Sequence, residues 1–338
     1  MFNLSTNSIK FYLIGTLFGW FVNMKKILLL LLSVTIISCS KNDDVVTEPM
    51  SVFDIIASSS NYTFLTYALQ KTDLSVVLDG NERYTLYAPS NMAFQSFLMR
   101  NGFGTIDEVP TALLKKVLLN HVMEGIVEYR DFETGYYKTA LISELSNAPM
   151  SMHIKQVNMR VTLNGESRIT NGNFRASNGI IHTINRVIPL PSIVTFVSID
   201  SNLENLLAAV TRNDLKTDFV SILSSDSNTS PAPFTVFAPT DQAFDDLLTE
   251  LGIQSFSDID EPTLSSTLTY HVVGEKNALS TDLSDNLQLN TLGGPVTANV
   301  TGGASITDGN NRVSNIIAVD IQTTNGVIHV IDKVILPN

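Results

Sequence analysis

Histidine supplies the side chains best suited to acid–base or metal chemistry in this 338-residue sequence. The five histidines are His121, His153, His182, His271 and His329. None of them forms a close cluster with cysteine, aspartate or glutamate, as the zinc-binding His-Glu-x-x-His pattern does. His182 shares one face of a predicted strand with Ile180 and Ile184, and an imidazole among aliphatic side chains is more often a hydrogen-bonded core residue than a ligand. We therefore predict no metal site.

The sequence also lacks the patterns of nucleophilic and phosphate-binding enzymes. It contains no Gly-x-Ser-x-Gly elbow, no Gly-rich loop ending in Lys-Ser or Lys-Thr, and no Gly-x-Gly-x-x-Gly after a strand. The adjacent carboxylates Asp245 and Asp246 are expected to face water on a helix. Residues 308–311 (Asp-Gly-Asn-Asn) offer oxygen atoms but lack the further ligands of a calcium loop, so a turn is predicted there. These observations predict a protein that is not an enzyme and holds no cofactor.

The overall charge argues against one class of partner. The formal net charge is −12 at pH 7, and an acidic surface repels the phosphate backbone of nucleic acids. Hydrophobic residues make up 44% of the chain, a globular value that is sufficient for packed cores. The single cysteine, Cys39, rules out an intrachain disulfide. We expect globular domains and no nucleic-acid partner.

The elements that must position these side chains occur twice along the chain. Three blocks recur in the same order: residues 84–94 as 234–244, residues 118–122 as 268–272, and residues 178–184 as 325–331. The offset is about 150 residues each time, which is the size of a whole domain rather than of a solenoid repeat. The sequence therefore indicates a tandem duplication of one fold, with domains at residues 51–191 and 192–338.

Each repeat places its helices first and its strands last. A short apolar strand ends at Pro89 or Pro239, and Ser90 or Thr240 follows at the position of a helix N-cap. The second half of each repeat alternates apolar and polar residues, as strands with one buried face do. This order predicts an α+β fold rather than alternating βαβ units.

A second helix is predicted in each repeat, and its apolar face ends in a histidine. Leu114, Val117, Leu118 and His121 are spaced i, i+3, i+4 and i+7, so they share one face of that helix. His271 takes the same place in the second repeat. We expect both histidines to have a structural role at the helix end.

Two surface features are candidate binding sites. One is a polar insertion at residues 224–231, which makes the second repeat about nine residues longer at this point. The other is a group of aromatic residues predicted to be exposed in a Gly-containing loop: Tyr129, Phe132, Tyr136 and Tyr137. Aromatic faces can stack on sugar rings, so Tyr136 and Tyr137 are candidate glycan-binding residues. The alternative is that these rings simply pack the loop.

The N-terminal region has the pattern of a secretory signal. Lys25 and Lys26 form a short basic segment ahead of an apolar run at residues 27–37, which is too short to span a bilayer. The four residues that end at Cys39 (Ile-Ile-Ser-Cys) resemble the lipobox of bacterial lipoproteins. In that family the cysteine becomes the acylated N-terminus.

These features predict a signal peptide at residues 1–38, with the true start at Met24, and a lipidated tether at residues 39–50. Acyl chains on Cys39 would then hold the protein on a membrane. The alternatives to the lipoprotein signal are a plain signal peptide with a coincidental cysteine and a signal anchor. The alternative to a start at Met24 is that the upstream segment, with its apolar residues 11–22, is a genuine amphipathic or transmembrane leader.

The three repeated blocks resemble the signature blocks of the fasciclin domain. In the second repeat they are residues 234–244, the pair Tyr270-His271 and residues 325–332, and the first repeat has Asn120 in place of Tyr270. The resemblance covers nearly all of both repeats and implies a β-sheet wedge with helices packed on it. In animal members the Tyr-His pair has been tied to integrin binding, which singles out Tyr270 and His271 as candidate binding residues. A bacterial protein would rarely meet an integrin, so we expect a structural role for the pair.

The resemblance further implies cell-surface modules that act in adhesion and in matrix or glycan contact without catalysis. Residues 40–44 (Ser-Lys-Asn-Asp-Asp) resemble the surface-export signal of Bacteroidota lipoproteins. We therefore predict a non-enzymatic, surface-exposed lipoprotein of the outer membrane that mediates adhesion or contact with matrix, protein partners or glycans. The alternative function is that of a glycan-binding accessory receptor of an outer-membrane polysaccharide uptake system.

Overall fold

The computed structural model describes residues 49–338. The predicted signal peptide, Cys39 and the tether up to residue 48 lie outside the described residues. Among residues 49–338, no helix combines the length and the apolar character needed to cross a membrane.

Both repeats begin with helices and end with strands, which confirms the predicted α+β class. The first repeat contains α1 (Val52–Ser58), α2 (Thr63–Lys71), α3 (Leu74–Leu78), β1 (Tyr84–Pro89), α4 (Asn91–Arg100), α5 (Thr111–Leu119), β2 (Val122–Glu124), β3 (Gly135–Ile142), β4 (Pro149–Val157), β5 (Arg160–Leu163), β6 (Ser167–Ala176) and β7 (Gly179–Ile184). The second contains α6 (Ile193–Ile199), α7 (Glu204–Val210), α8 (Phe219–Leu223), β8 (Phe234–Pro239), α9 (Asp241–Leu251), α10 (Glu261–Tyr270), β9 (Val272–Val273), β10 (Leu287–Thr291), β11 (Gly294–Asn299), β12 (Ser305–Thr307), β13 (Val313–Gln322) and β14 (Gly326–Ile331).

The first and last strands of each repeat lie side by side. In the first domain the strand order is β2-β1-β7-β6-β5-β4-β3, and β1 runs parallel to β7. In the second domain β8 pairs in parallel with β14, and the strands close into a barrel of order β10-β11-β12-β13-β14-β8-β9. Two of the repeated sequence blocks, although distant along the chain, therefore form one central strand pair in each domain.

The predicted N-caps are present. Ser90 Oγ accepts a hydrogen bond from Ala93 N at 3.3 Å, and Thr240 Oγ1 accepts one from Ala243 N at 3.2 Å. A Ser or Thr oxygen at this position satisfies one of the unpaired N–H groups of the first helical turn.

Four short helices were missed by the sequence reasoning, namely α1, α3, α6 and α8. Their five to seven residues span too few turns to show a helical period. Long-range contacts to two buried asparagines hold them instead. Asn178 Oδ1 accepts from Val52 N at 2.8 Å, and Asn325 Oδ1 accepts from Ile193 N at 3.0 Å.

The same two asparagines also bind the end of the third helix of each domain. Asn178 Nδ2 donates to the carbonyl oxygens of Leu78 and Gly80 at 2.8 and 2.6 Å. Asn325 Nδ2 donates to those of Leu223 and Ser225 at 2.8 and 3.1 Å. The asparagine that opens each closing strand therefore connects the helices to the sheet.

Candidate binding residues and the interface between the two domains

In each domain, both ring nitrogens of the histidine at the end of the second predicted helix are hydrogen-bonded to the backbone. His121 Nδ1 contacts the carbonyl oxygen of Val117 at 2.6 Å, and its Nε2 accepts from Ile188 N at 2.8 Å. In the second domain, His271 Nδ1 contacts the carbonyl oxygen of Thr267 at 2.7 Å, and its Nε2 accepts from Ile335 N at 3.2 Å. A neutral imidazole has one donor and one acceptor, so both rings are saturated.

Both of these rings are buried, and burial lowers the pKa of His121 and of His271 to about 4. Burial disfavours the charged form, so the neutral form dominates near neutral pH. The two histidines join the end of a helix to the last segment of their domain, and their exposed fractions are 0% for His121 and 3% for His271.

Tyr270 is as deeply buried as its neighbour, with 2% of its surface exposed. Its hydroxyl donates to the carbonyl oxygen of Pro295 at 2.7 Å and accepts from Gly309 N at 2.9 Å. A partner could reach neither Tyr270 nor His271 while the domain is folded. This burial corrects their assignment as candidate binding residues and agrees with the structural role that was expected.

Asn120 occupies the place of Tyr270 in the first domain with poorer hydrogen bonding. Its Nδ2 donates to the carbonyl oxygen of Pro189 at 3.3 Å, whereas its buried Oδ1 has no hydrogen-bond partner among residues 49–338. The change from tyrosine to asparagine therefore leaves this part of the first domain with fewer contacts.

The histidines of the closing strands are core residues too. His182 Nε2 contacts the carbonyl oxygen of Val127 at 2.9 Å, and His329 Nε2 contacts that of Ala278 at 2.9 Å. Both rings are completely buried. Among residues 49–338, no group of three or more histidine, cysteine, aspartate or glutamate side chains is arranged to hold a metal ion.

The predicted turn at residues 308–311 binds the C-terminal segment. Asp308 Oδ1 accepts from the backbone N atoms of Asn310 and Arg312, both at 2.9 Å. Its Oδ2 accepts from Leu336 N at 2.9 Å. The carboxylate is thus committed to backbone donors, as in a structural turn.

Phe132, Tyr136 and Tyr137 do not form the exposed aromatic cluster that was predicted. Phe132 has 3% of its surface exposed, and Tyr137 packs edge-on against it with ring centroids 6.3 Å apart. The Tyr137 hydroxyl returns to its own segment, where it accepts from Glu133 N at 3.0 Å. Tyr136 and Tyr137 lie on strand β3 rather than in a loop, and because adjacent strand residues point to opposite faces, only Tyr137 packs inside its own domain.

Tyr136 belongs to the interface between the two domains. Its hydroxyl donates to Asp200 Oδ2 of the second domain at 2.8 Å. Its ring lies edge-on to Phe196, also of the second domain, with centroids 5.2 Å apart. The ring of His153, its cross-strand neighbour on β4, also lies close, with ring centroids 5.0 Å apart. The predicted glycan-binding role of Tyr136 is therefore corrected to a contact between domains.

Further contacts fix the same pairing of domains. Ser151 Oγ accepts from Gln322 N at 3.0 Å, and both residues are fully buried. Lys138 Nζ donates to the carbonyl oxygen of Asp320. Gly165 approaches Ile199 so closely that an added Cβ would lie 2.6 Å from Ile199 Cγ2. Strands β3 and β4 of the first domain thus pack on α6 and β13 of the second.

A cleft of about 370 Å³ lies beside this interface and is lined by both domains. The first domain contributes Leu141, Met150 and Leu190. The second contributes the polar insertion, including residues 224–228. We call this space the interdomain cleft.

The duplicated α+β fold is that of a pair of fasciclin domains. The fasciclin domain family model matches residues 60–191 and 201–337, and the chain belongs to this family. A solved FAS1 domain pair from the insect cell adhesion molecule fasciclin I shares the fold, with a TM-score of 0.50 and 18% identity over 81% of this chain and 97% of that one.

Several fasciclin-domain proteins are similar in sequence. The transforming growth factor-beta-induced protein ig-h3 of Oryctolagus cuniculus is 27% identical over 292 residues, which is 85% of this chain and 40% of that protein. Periostin of Homo sapiens is 27% identical over 263 residues, which is 77% of this chain and 29% of that protein. An uncharacterized Synechocystis protein, sll1735, is 36% identical over 151 residues, 44% of this chain and 98% of that protein. The chain thus spans less than half the length of the first two relatives.

Proposed function

We propose that this protein is a non-enzymatic adhesion protein of a bacterial cell surface, anchored in the outer membrane by acyl chains on Cys39. The observation that carries the proposal is the pair of fasciclin domains, since a solved relative of the same fold is an insect cell adhesion molecule. Two linked modules raise the avidity of weak contacts when both engage the same surface. The contacts fixing the pairing of the domains support such simultaneous engagement, because they restrict how the modules can move apart.

The anchor and the outward orientation are tested by protease treatment of intact cells. We expect an immunoblot to lose the protein while a periplasmic control protein survives. A Cys39→Ser variant should be released from the membrane fraction, because it lacks the acylation site. Full protection of the wild-type protein would end the adhesion proposal.

The adhesive role is tested by attachment of cells to surfaces coated with matrix proteins or polysaccharides. Cells that carry the anchor but lack residues 51–338 should attach less than wild-type cells. Equal attachment of the two strains would contradict the proposal.

A glycan-binding accessory receptor for a polysaccharide uptake system is the second candidate function. The interdomain cleft favours it, because it is a concave site with a polar wall. Growth on polysaccharides separates the two functions, since a receptor mutant should lose growth on its glycan while attachment stays unchanged.

A further inference from the structure

We propose that the interdomain cleft binds a neutral saccharide, with one site for each chain. The inference rests on the proposed contact function and names the ligand class for it. The cleft volume of about 370 Å³ falls in the range of small-ligand pockets, roughly 300–1,000 Å³.

The lining residues from the first domain are mostly apolar, with Lys116, Ser143 and Glu144 as the exceptions, whereas those from the second domain are all polar. Leu141 and Met150 of the first domain have 6% and 2% of their surface exposed and, with Leu190, form an aliphatic floor. The insertion found only in the second repeat contributes polar lining residues, namely Ser224, Ser225, Asp226, Ser227 and Asn228. An apolar floor facing hydroxyl, amide and carboxylate groups suits a ring that has C–H groups on one face and hydroxyls around its edge.

The start of the insertion is held in place by hydrogen bonds, and the polar side chains of residues 226–228 follow this fixed point. Asn325 Nδ2 holds the carbonyl oxygens of Leu223 and Ser225, as described above. The hydroxyls on either side of residues 226–228 are engaged, since Ser225 Oγ donates to the carbonyl oxygen of Ile222 at 2.7 Å and Ser230 Oγ donates to Glu275 Oε1 at 2.9 Å. Asp226 and Asn228 between them are exposed and line the cleft. A wall with a fixed base loses less conformational entropy when it binds a ligand.

The charges of the cleft select against acidic ligands. Lys116 at the rim is paired with Glu144 at 2.9 Å, and Asp226 adds a second carboxylate to the lining. The lining therefore carries a net negative charge, which disfavours phosphate and uronate groups. Carboxylate and amide oxygens accept hydrogen bonds from sugar hydroxyls, so a neutral saccharide satisfies this wall.

The test uses the full-length chain in detergent, labelled with ¹³C at the methionine methyl groups. Met150 reports on the cleft floor, whereas Met92 and Met99 on α4 are 80% and 74% exposed and serve as internal controls. The probes are hexasaccharides of α- and β-linked glucose, mannose and galactose, and Met150→Leu assigns the signal. We expect a saturable shift of the Met150 methyl signal with one of these probes, at one site per chain, and unchanged Met92 and Met99 signals.

The variant Asp226→Ala/Asn228→Ala should weaken that binding by about tenfold, because it removes hydrogen bonds to the ligand. The matched control Asp245→Ala/Asp246→Ala changes two exposed polar residues on α9 and should bind as wild type. No Met150 shift with any of these probes, or a shift that survives the Asp226/Asn228 change, would overturn the proposal. A Met150 shift with a hexauronate but with none of the neutral probes would overturn the ligand class.

The cleft proposal and the adhesion proposal can fail separately. Attachment that persists without any saccharide shift removes the cleft proposal and leaves adhesion standing. Saccharide binding by the purified protein, together with attachment that does not depend on residues 51–338, supports the cleft and removes the adhesive role.

Discussion

The hydroxyl of Tyr136 in the first domain donates a 2.8 Å hydrogen bond to the carboxylate of Asp200 in the second. Asp200 is 7% exposed, and its other oxygen accepts from Asn202 N at 2.9 Å. A buried carboxylate that loses a donor bears a desolvation cost, so this contact favours one pairing of the domains.

Removing this hydroxyl should weaken the domain pair. We expect Tyr136→Phe to lower the free energy of unfolding by about 1–3 kcal/mol, because Asp200 Oδ2 loses its donor while the ring is kept. Urea denaturation measures the change. Tyr137→Phe is the matched control, since both hydrogen bonds that its hydroxyl makes within the described chain are to the Glu133 backbone. An equal effect of the two variants would show that the contact between domains adds nothing.

A second prediction compares two glycines with the same backbone conformation. Gly165 has φ +71° and faces Ile199. Gly102 has φ +74°, and no atom of the part of the chain that the structure describes lies within 4 Å of an added Cβ there. Either change to alanine costs about 1–2 kcal/mol for a left-handed residue with a Cβ. Gly165→Ala should cost about 1–3 kcal/mol more, because the new methyl group overlaps the other domain. Equal unfolding free energies of the two variants would contradict a close approach of the domains at Gly165.

The buried histidines predict a loss of stability in mild acid. The pKa of His121 and of His271 is about 4 in the folded protein, below the usual value of 6.5. The unfolded chain therefore binds protons first as the pH falls, and stability is fully present above pH 6.5 and declines toward pH 4. Over this pH window, each histidine should lower the free energy of unfolding by on the order of 3 kcal/mol.

Urea denaturation at several pH values from 7 to 4.5, together with imidazole NMR titration, tests this expectation. Both rings should stay neutral in the folded protein down to about pH 5. Protonation of either ring near pH 6.5 without loss of stability would refute the argument.

Asn178 and Asn325 should be the polar residues most costly to replace. Each makes one bond as acceptor to the first helix of its domain and two as donor to the end of the third. We expect Asn178→Ala to destabilise the protein by about 2–4 kcal/mol, because buried backbone groups lose their partners. Asn61→Ala, at an exposed position, should change stability by less than about 0.5 kcal/mol in the same denaturation assay.

Much of the fold could be predicted because the same sequence blocks occur in both repeats, in the same order. Pro89 and Ser90, with their counterparts Pro239 and Thr240, mark the strand end and the helix cap by local chemistry alone. Local signals act between near neighbours in sequence, so a single sequence is enough to read them. The short helices escaped prediction because a distant asparagine holds them, and spacing within seven residues does not reveal such a contact.

The aromatic residues show where sequence reasoning stops. Tyr136 and Tyr137 are adjacent and identical in type, yet one packs inside its own domain and the other against the next. Had a strand been predicted here, its alternation would have placed the two side chains on opposite faces of the sheet. No local sequence signal indicates that a second domain covers the outer face of β3.

The sequence by itself determined the duplication, the α+β class and the core role of the repeated histidines. These follow from periodic burial and from the chemistry of caps and turns, which act over a few residues. Only the tertiary structure decided that the Tyr270 side chain is buried, that Tyr136 joins the domains and that a cleft lies between them. The reason is that exposure depends on which surfaces meet, and those surfaces come from residues far apart in the chain.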